Sequence, residues 1–283
     1  MVKKMVCSGA LLAALMLLFA GLASAQDLSQ IKPTATIGEQ ILVRPMPGVL
    51  KSPFRLLPKG GPLVPAYCSP CLFYGGDGDP SNPLADGLWD NNSSTFGISG
   101  VVYSPFSVPE KTAKCGGICD WAVTGLFANI EYSPFPPTID SVNWSVVTGV
   151  AAGGIPATTT VICSGTDPVP VLIDTGRLYF GTYEEFATVV SVSGCPALEG
   201  AKKGGSATYW ETVTPNTGAT GIFQLAYESN IPDSPPPNAV GLPEPLLNSF
   251  FFAPSFGDYT FAPAQNLGPY YIFSAGVEGT LVK

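Results

Sequence analysis

Oxygen-bearing side chains crowd one short glycine-rich stretch, residues 75–90. They belong to Asp77, Asp79, Asn82, Asp86 and Asp90. Carboxylate and amide oxygens are the ligands that Ca²⁺ prefers, so this loop predicts a calcium site. The spacing differs from that of an EF-hand, because no glutamate closes the loop at the twelfth position. The alternative is that Asp, Asn, Pro and Gly serve here only to make turns.

The residue types also limit the catalysis that the chain can perform. It contains no histidine, which excludes Ser-His-Asp and Cys-His nucleophile systems and histidine-ligated metals. Two carboxylates on either side of a sugar bond remain as a route to hydrolysis. The candidates in predicted strands are Asp120, Glu184, Glu185 and Glu211. Adjacent Glu184 and Glu185 point to opposite faces of a strand, and no spacing pairs the others, so we expect no catalytic activity.

Tryptophans supply a second kind of binding chemistry, because their rings stack on sugar rings. Trp89 lies beside the acidic loop and is the most plausible exposed platform, with Trp210 second. Trp144 lies on the apolar face of a strand, and Trp121 directly follows a cysteine-rich turn, so we expect both to be buried. The alternative for all four is a place in the core, where aromatic residues of β-domains usually pack.

Cysteines indicate cross-links. Six remain beyond residue 25, and they are Cys68, Cys71, Cys115, Cys119, Cys163 and Cys195. An even number in an exported chain predicts disulfides, and we pair Cys163 with Cys195 because each ends a predicted strand. The other four can close as two local loops or cross-link to each other. Four thiolates in two short pairs would also suit zinc, although an oxidising compartment favours disulfides.

The first 25 residues read as a secretory signal. Lys3 and Lys4 precede an apolar run from Ala10 to Ala20, and Ala23-Ser24-Ala25 makes a cleavage site. The run is too short for a stable membrane span, so we expect a secreted or periplasmic protein without a span in the mature chain. Removal of the signal segment takes away two of the 13 basic residues and none of the 21 acidic ones, which leaves the mature chain with a net charge of −10. This charge argues against nucleic acid as a partner.

Residues 26–67 are rich in proline and predict an extended arm. They carry five basic and two acidic residues, so the arm is positive while the remaining mature chain is strongly negative. Proline at this density blocks ladder hydrogen bonds. The arm is either solvated or docks on the acidic body or the envelope.

The body, residues 68–283, predicts an antiparallel β-sandwich. The clearest signal is Ser141 to Val150, where Val142, Trp144 and Val146 alternate with polar residues. We expect the sandwich to be built around this strand. Further strands are predicted at 72–74, 98–108, 121–130, 158–164, 177–180, 186–192, 208–214 and 222–227. Pro105 makes 98–108 an edge strand, and no long amphipathic helix is found.

The final aromatics, from Phe256 to Phe273, predict a last strand pair. Pro243-Glu244-Pro245 spells the start of a PEP-CTERM sorting tail, but Asn248 and Ser249 interrupt the apolar run that follows it. We therefore expect no C-terminal membrane anchor.

Several motifs resemble, in the same order, those of an uncharacterised family of exported bacterial proteins. They are Phe73-Tyr74-Gly75-Gly76-Asp77, Val123-Thr124-Gly125-Leu126-Phe127-Ala128-Asn129, Thr148-Gly149-Val150, Thr208-Tyr209-Trp210, Asn238-Ala239-Val240-Gly241 and Asn248-Ser249-Phe250-Phe251. The resemblance implies a jelly-roll-like sandwich and an exported location, with PEP-CTERM-type anchors in some members. It implies no activity. This chain departs from the family in its Cys-Gly-Gly-Ile-Cys insert and in the Cys163 and Cys195 pair.

Together these features predict a secreted or envelope-associated structural or interaction protein without catalytic activity. The alternative is a calcium-assisted carbohydrate-binding module that uses Trp89 and the acidic loop. The partner would then be a polysaccharide, and otherwise a cell-surface protein.

Overall fold

The computed structural model is an all-β protein. It describes residues 54–56, 63–76, 86–90, 92–93, 98–109, 120–133, 136–179, 183–201, 206–217, 221–227, 239–241, 247–254, 258–266 and 272–282. Within these ranges there is no α-helix, and 3-10 turns occur at Pro156–Thr158 and Ala264–Asn266. None of the described residues forms a helix of the length and apolarity needed to cross a membrane.

Most of the described residues lie in β-strands. In chain order they are β1 (Phe54–Leu56), β2 (Leu63–Pro65), β3 (Cys71–Tyr74), β4 (Asp86–Asp90), β5 (Asn92–Ser93), β6 (Ile98–Ser99), β7 (Val101–Pro109), β8 (Asp120–Ser133), β9 (Ile139–Thr148), β10 (Thr160–Asp167), β11 (Val171–Tyr179), β12 (Tyr183–Ser191), β13 (Ser206–Thr217), β14 (Gly221–Tyr227), β15 (Phe250–Ala253), β16 (Asp258–Pro263), β17 (Ile272–Phe273) and β18 (Ala275–Val282). The predicted strands are present, several with longer bounds. The predicted last strand pair is wrong, because β16 pairs with β15 in one sheet and β17 pairs with β14 in the other, a choice of partners that the aromatic pattern does not encode.

Two antiparallel sheets pack face to face and confirm the predicted sandwich. The six-stranded sheet has the order β10-β9-β13-β7-β15-β16. The eight-stranded sheet has the order β11-β12-β8-β14-β17, with β18, β3 and β4 paired beside this path. Two small hairpins, β1-β2 and β5-β6, complete the described strands.

The most extensively paired of the described strands is β8 rather than β9. On one side β8 pairs with β12 from Gly125 to Tyr132, and on the other with β14 and β18. The strand around Trp144, which we expected at the centre, is the second strand from one edge of the six-stranded sheet. The alternation of apolar and polar residues in β9 indicated which of its faces is buried. The position of a strand within its sheet depends on its pairing with distant strands, and alternation does not encode that pairing.

Strand β7 lies between β13 and β15 in the strand order, which corrects the prediction of an edge strand, and each of its two halves pairs with one described strand. From Val101 to Tyr103 it pairs with β15, and from Ser104 to Pro109 with β13. Pro105 therefore lies beyond the last β15 pair and opposite Trp210 of β13. A proline is tolerated there because its missing N–H can face the side on which no described strand pairs.

The core between the sheets consists of the inward faces of both. Val142, Trp144 and Val146 of β9 are buried as predicted. Trp121 is also buried as predicted, and its ring stacks on that of Phe106 with centroids 5.8 Å apart. Trp144 lies across Gly165, its register partner on β10, where an added Cβ would approach the indole to 2.6 Å. Glycine at 165 thus makes room for the tryptophan.

Smaller apolar clusters cover the outer faces of both sheets. Outside the six-stranded sheet, Tyr103, Val147, Val150 and Phe261 are buried together. Burial of Val147 makes the end of β9 apolar on both faces, which its alternation did not predict.

The outer face of the eight-stranded sheet carries a matching cluster of Cys68, Tyr74 and Phe127. Tyr67, the last residue of the predicted arm, packs its ring on Phe127 with centroids 5.0 Å apart and donates a hydrogen bond to Asn129. The arm prediction covered 26–67, and its described residues include the β1-β2 hairpin and this contact with the sandwich. The rest of the arm and the signal segment lie outside the described residues.

Two disulfides join the described cysteines. Cys163 of β10 bonds to Cys195 in the segment after β12, as predicted. Cys68 bonds to Cys71, which selects local closure for that pair and removes two thiolates from the zinc alternative. Cys115 and Cys119 lie outside the described residues. The Cys163–Cys195 bond ties an edge strand of one sheet to the chain that leaves the other.

Candidate functional site

The predicted calcium loop is described only at its end, where it forms a strand. Asp86 and Asp90 are the first and last residues of β4, and Asp77, Asp79 and Asn82 lie outside the described residues. A strand rises about 3.4 Å per residue, which separates these two aspartates by about 13 Å. Oxygens that share one Ca²⁺ lie within about 5 Å of each other. A single calcium ion would therefore use one of these two aspartates, not both.

No group of three or more Asp, Glu, Cys or His side chains with the arrangement of a metal site occurs in the described part of the chain. The calcium site thus stays a prediction. It depends mainly on Asp77, Asp79 and Asn82.

The two tryptophans proposed as sugar platforms occupy different layers. Trp89 lies on β4 opposite Gln224 of β14, and its side chain falls outside the description. Trp210 on β13 is half-buried and packs against the cluster of Tyr103, Val147 and Phe261. This packing covers part of the indole, which makes Trp210 a poor stacking surface.

The carboxylates considered for catalysis are spread over both sheets. Asp120 begins β8, and its Oδ1 accepts a hydrogen bond from the Gly200 backbone N–H at 3.3 Å. Glu184 and Glu185 lie on β12 in the eight-stranded sheet, whereas Glu211 lies on β13 in the six-stranded sheet. The structure brings no two of these four together except the adjacent pair on β12, which alternation directs to opposite faces.

Each glutamate of β12 instead has an acidic neighbour that the sequence did not indicate. Glu185 lies directly opposite Glu131 of β8, and neither residue is exposed to solvent. Residues in such a pair have Cβ atoms about 4.5–5.5 Å apart. Hydrolysis by two carboxylates requires both groups to contact the substrate, and a substrate cannot reach a pair that solvent does not reach. The pairing results from strand register, which the sequence pattern leaves open.

The second acidic pair lies near the end of the same sheet. Burial raises the pKa of Glu184, and the negative charge of Asp174 on β11 raises it further. Asp174 is itself buried, and its Oδ1 accepts a hydrogen bond from the Gly176 backbone N–H at 2.6 Å. The bulge in the pairing of β11 with β12, between Asp174 and Leu178, contains this turn. The hydrogen bond from Gly176 gives the buried Asp174 carboxylate a partner within the chain, so we interpret the pair of Asp174 and Glu184 as structural.

One lateral edge of the sandwich carries exposed aliphatic residues. Strand β10 is the terminal strand of the six-stranded sheet and β11 is the terminal strand of the eight-stranded sheet. The two are consecutive in the chain, so they lie at the same side of the sandwich. Val161, Val169 and Val171 are exposed there by 55%, 78% and 56%. We call residues 160–173 the open edge.

Side-chain contacts hold the open edge in place. Asp167 at the end of β10 accepts hydrogen bonds from the backbone N–H of Val169 at 2.9 Å and of Ser191 at 3.1 Å. The Cys163–Cys195 disulfide provides a second tie. The edge therefore presents its backbone in a fixed position, which is what a strand needs in order to bind another strand.

Comparison of the chain with protein-family models, with curated proteins and with solved structures finds no match in any of the three.

Proposed function

We propose that this protein is a non-catalytic structural or interaction protein that acts outside the cytoplasm, and that it binds its partner at the open edge. The observation that carries the proposal is the exposure of Val161, Val169 and Val171 beside two terminal strands. The partner chemistry that fits is an extended protein segment with alternating apolar side chains, added as a further strand.

The composition of the edge supports a binding role. A terminal strand exposes a row of backbone N–H and C=O groups, and proteins commonly protect such strands with lysine, proline or a bulge. Strand β10 has the sequence Thr-Val-Ile-Cys-Ser-Gly-Thr-Asp, which contains neither lysine nor proline. It has one bulge, between Val161 and Cys163. Beyond this bulge, Cys163 to Asp167 offers an unprotected edge.

Two features support a location outside the cytoplasm. Structural disulfides persist in oxidising compartments and are rare in the cytosol, and this chain has two among its described residues. The secretory signal read in the first 25 residues agrees with this location. The acidic surface favours protein or carbohydrate partners over nucleic acid.

The edge is tested by a lysine pair that blocks strand addition. Val161→Lys with Val171→Lys places charge on both terminal strands, and Leu281→Lys is the matched control because Leu281 on β18 is exposed by the same 55% as Val161. Mature protein is immobilised and incubated with an envelope fraction, and each captured protein is purified and its affinity remeasured. We expect the edge variant to lose at least tenfold in affinity and the control to retain it. Equal affinity of the two variants would contradict binding at the open edge.

A calcium-assisted carbohydrate-binding module is the second candidate. The observation that favours it is that Trp89 lies between Asp86 and Asp90 on one strand, next to the rest of the acidic stretch. Binding of mature protein to insoluble polysaccharides and peptidoglycan, with calcium and with chelator, separates the two candidates. Chelator-sensitive binding that Trp89→Ala abolishes and Trp210→Ala leaves intact would select the carbohydrate module. Absence of binding under both conditions would leave the proposal of a structural or interaction protein as the one supported.

A further inference from the structure

Glu211 is an acidic side chain buried between the two sheets. It lies on β13 with Tyr209 and Val213 on the same inward face, and it is 1% exposed. Its register partners are Ser104 on β7 and Val146 on β9, so Glu211 lies in the interior of the six-stranded sheet. No group of the described residues lies within hydrogen-bonding distance of either carboxyl oxygen.

No positively charged residue lines the small cavity beside Glu211 in the described part of the chain. The cavity is lined by Val102, Ser104, Ala128, Val213 and Ala275, none of which titrates. Two tyrosines on the inward faces have partners of their own. Tyr209 donates to the Glu199 carbonyl oxygen, and the Tyr132 hydroxyl bonds to Thr188. An ionised carboxylate without a partner is strongly disfavoured in such a place, and burial raises the pKa of Glu211 well above its ordinary value.

The cavity has the size and lining of a site for one water molecule. The volume open to the centre of a water molecule is about 10 Å³, close to the minimum of roughly 10–15 Å³ that a buried water needs. Such a water also needs at least two polar partners. Glu211 and Ser104 supply them, because both line the cavity and lie directly opposite each other on neighbouring strands.

We propose that Glu211 is a neutral carboxylic acid that binds one water molecule between the sheets, and that loss of its proton destabilises the sandwich. The carboxyl O–H donates to the water, and the water donates to the Ser104 hydroxyl oxygen. Deprotonation releases the proton to solvent and leaves a negative charge among apolar residues. Residue 211 then contributes stability that is present in acid and is lost as the pH rises, and this contribution is independent of the partner at the open edge.

The protonation state is measured on the wild-type protein by infrared spectroscopy. The C=O stretch of a protonated carboxylic acid is distinct from the carboxylate bands, and the difference between wild type and Glu211→Gln isolates the contribution of residue 211. We expect a protonated band at pH 7 that is lost in the variant. A carboxylate band in its place would overturn the proposal.

The linkage to folding is measured by denaturant unfolding from pH 5 to pH 9. Because the native state holds a proton that the unfolded state releases, the unfolding equilibrium constant of the wild type rises with pH by up to about tenfold per pH unit from this one group. Glu211→Gln removes that contribution, while the control Asp140→Asn, at an exposed position of β9, retains it. Identical pH dependence in wild type and Glu211→Gln would overturn the proposal.

The bound water is tested by a high-resolution crystal structure at pH 5. We expect density for one water within hydrogen-bonding distance of Glu211 and Ser104. Glu211→Leu fills the cavity with an apolar group, so we expect no bound water in this variant. The pH dependence of its unfolding free energy should contain no contribution from residue 211. A dry cavity in the wild type would refute the water site.

Discussion

At the scale of single residues, burial determines which acidic groups respond to pH. Glu184, Glu211 and Glu278 lie on three different strands, and for each of them desolvation is the largest cause of a raised pKa. Desolvation disfavours the charged form of a carboxyl group, so these groups hold their protons to higher pH than exposed glutamates do. The chain contains no histidine, and among these glutamates Glu278 has a pKa raised to about 7.

Glu278 allows the sharpest test at this scale. Its side chain lies over Gly125, where an added Cβ would be 3.0 Å from the carboxyl oxygen, and its other register neighbour is disulfide-bonded Cys71. Burial raises the pKa of Glu278 from 4.5 to about 7. The raised pKa contributes stability that is fully present below pH 4.5 and is lost as the pH rises through about 7.

We therefore expect Glu278→Gln to flatten the pH dependence of the unfolding free energy between pH 4.5 and pH 7. Urea unfolding of wild type and variant at half-unit pH intervals measures this. Asp140→Asn serves as the exposed control. A variant that keeps the wild-type slope would show that Glu278 ionises at its ordinary pKa.

At the scale of strands, alternation in the sequence predicted which segments extend and which faces are buried. Trp144 and Trp121 are in the core as expected, because each belongs to a local pattern of apolar residues at every second position. Register was not predictable in this way. The pairing of Glu131 with Glu185 and the pairing of Val101 to Tyr103 with β15 depend on strands far apart in the sequence. The sequence pattern also did not predict that Val147 and Trp210 pack in an outer layer, because the residues that contact them there are distant in the sequence.

The Cys163–Cys195 disulfide gives a prediction at the scale of elements. The bond closes a loop with a sequence separation of 32 residues, and loss of a bridge that closes a loop of this length costs about 2–4 kcal/mol in unfolding free energy. We expect Cys163→Ala with Cys195→Ala to lose about this much stability.

Urea unfolding under non-reducing conditions measures the loss, with the exposed neighbour Ser164→Ala as the control for changes in β10. An unchanged midpoint would mean that the rest of the fold already fixes the open edge.

At the scale of the whole molecule, the two sheets enclose one main core and each carries an added outer layer. The main core includes Phe106 and Val146 from one sheet and Leu126 and Phe186 from the other. The outer layers are the cluster of Tyr103, Val147, Val150 and Phe261 on one side and the cluster of Cys68, Tyr74 and Phe127, with Tyr67 packed against it, on the other. At the open edge, exposed valines lie on or between β10 and β11, the terminal strands of the two described sheets, which is why the proposed interaction is assigned there.

The pairing of β18 also constrains how the chain can be synthesised. Strand β18 lies between β3 and β8, so it joins segments near both ends of the folding unit. The eight-stranded sheet cannot close until residues 275–282 have left the ribosome, and such distant pairings form slowly. The eight-stranded sheet therefore closes late in folding, after strands that are far apart in the chain have been brought together.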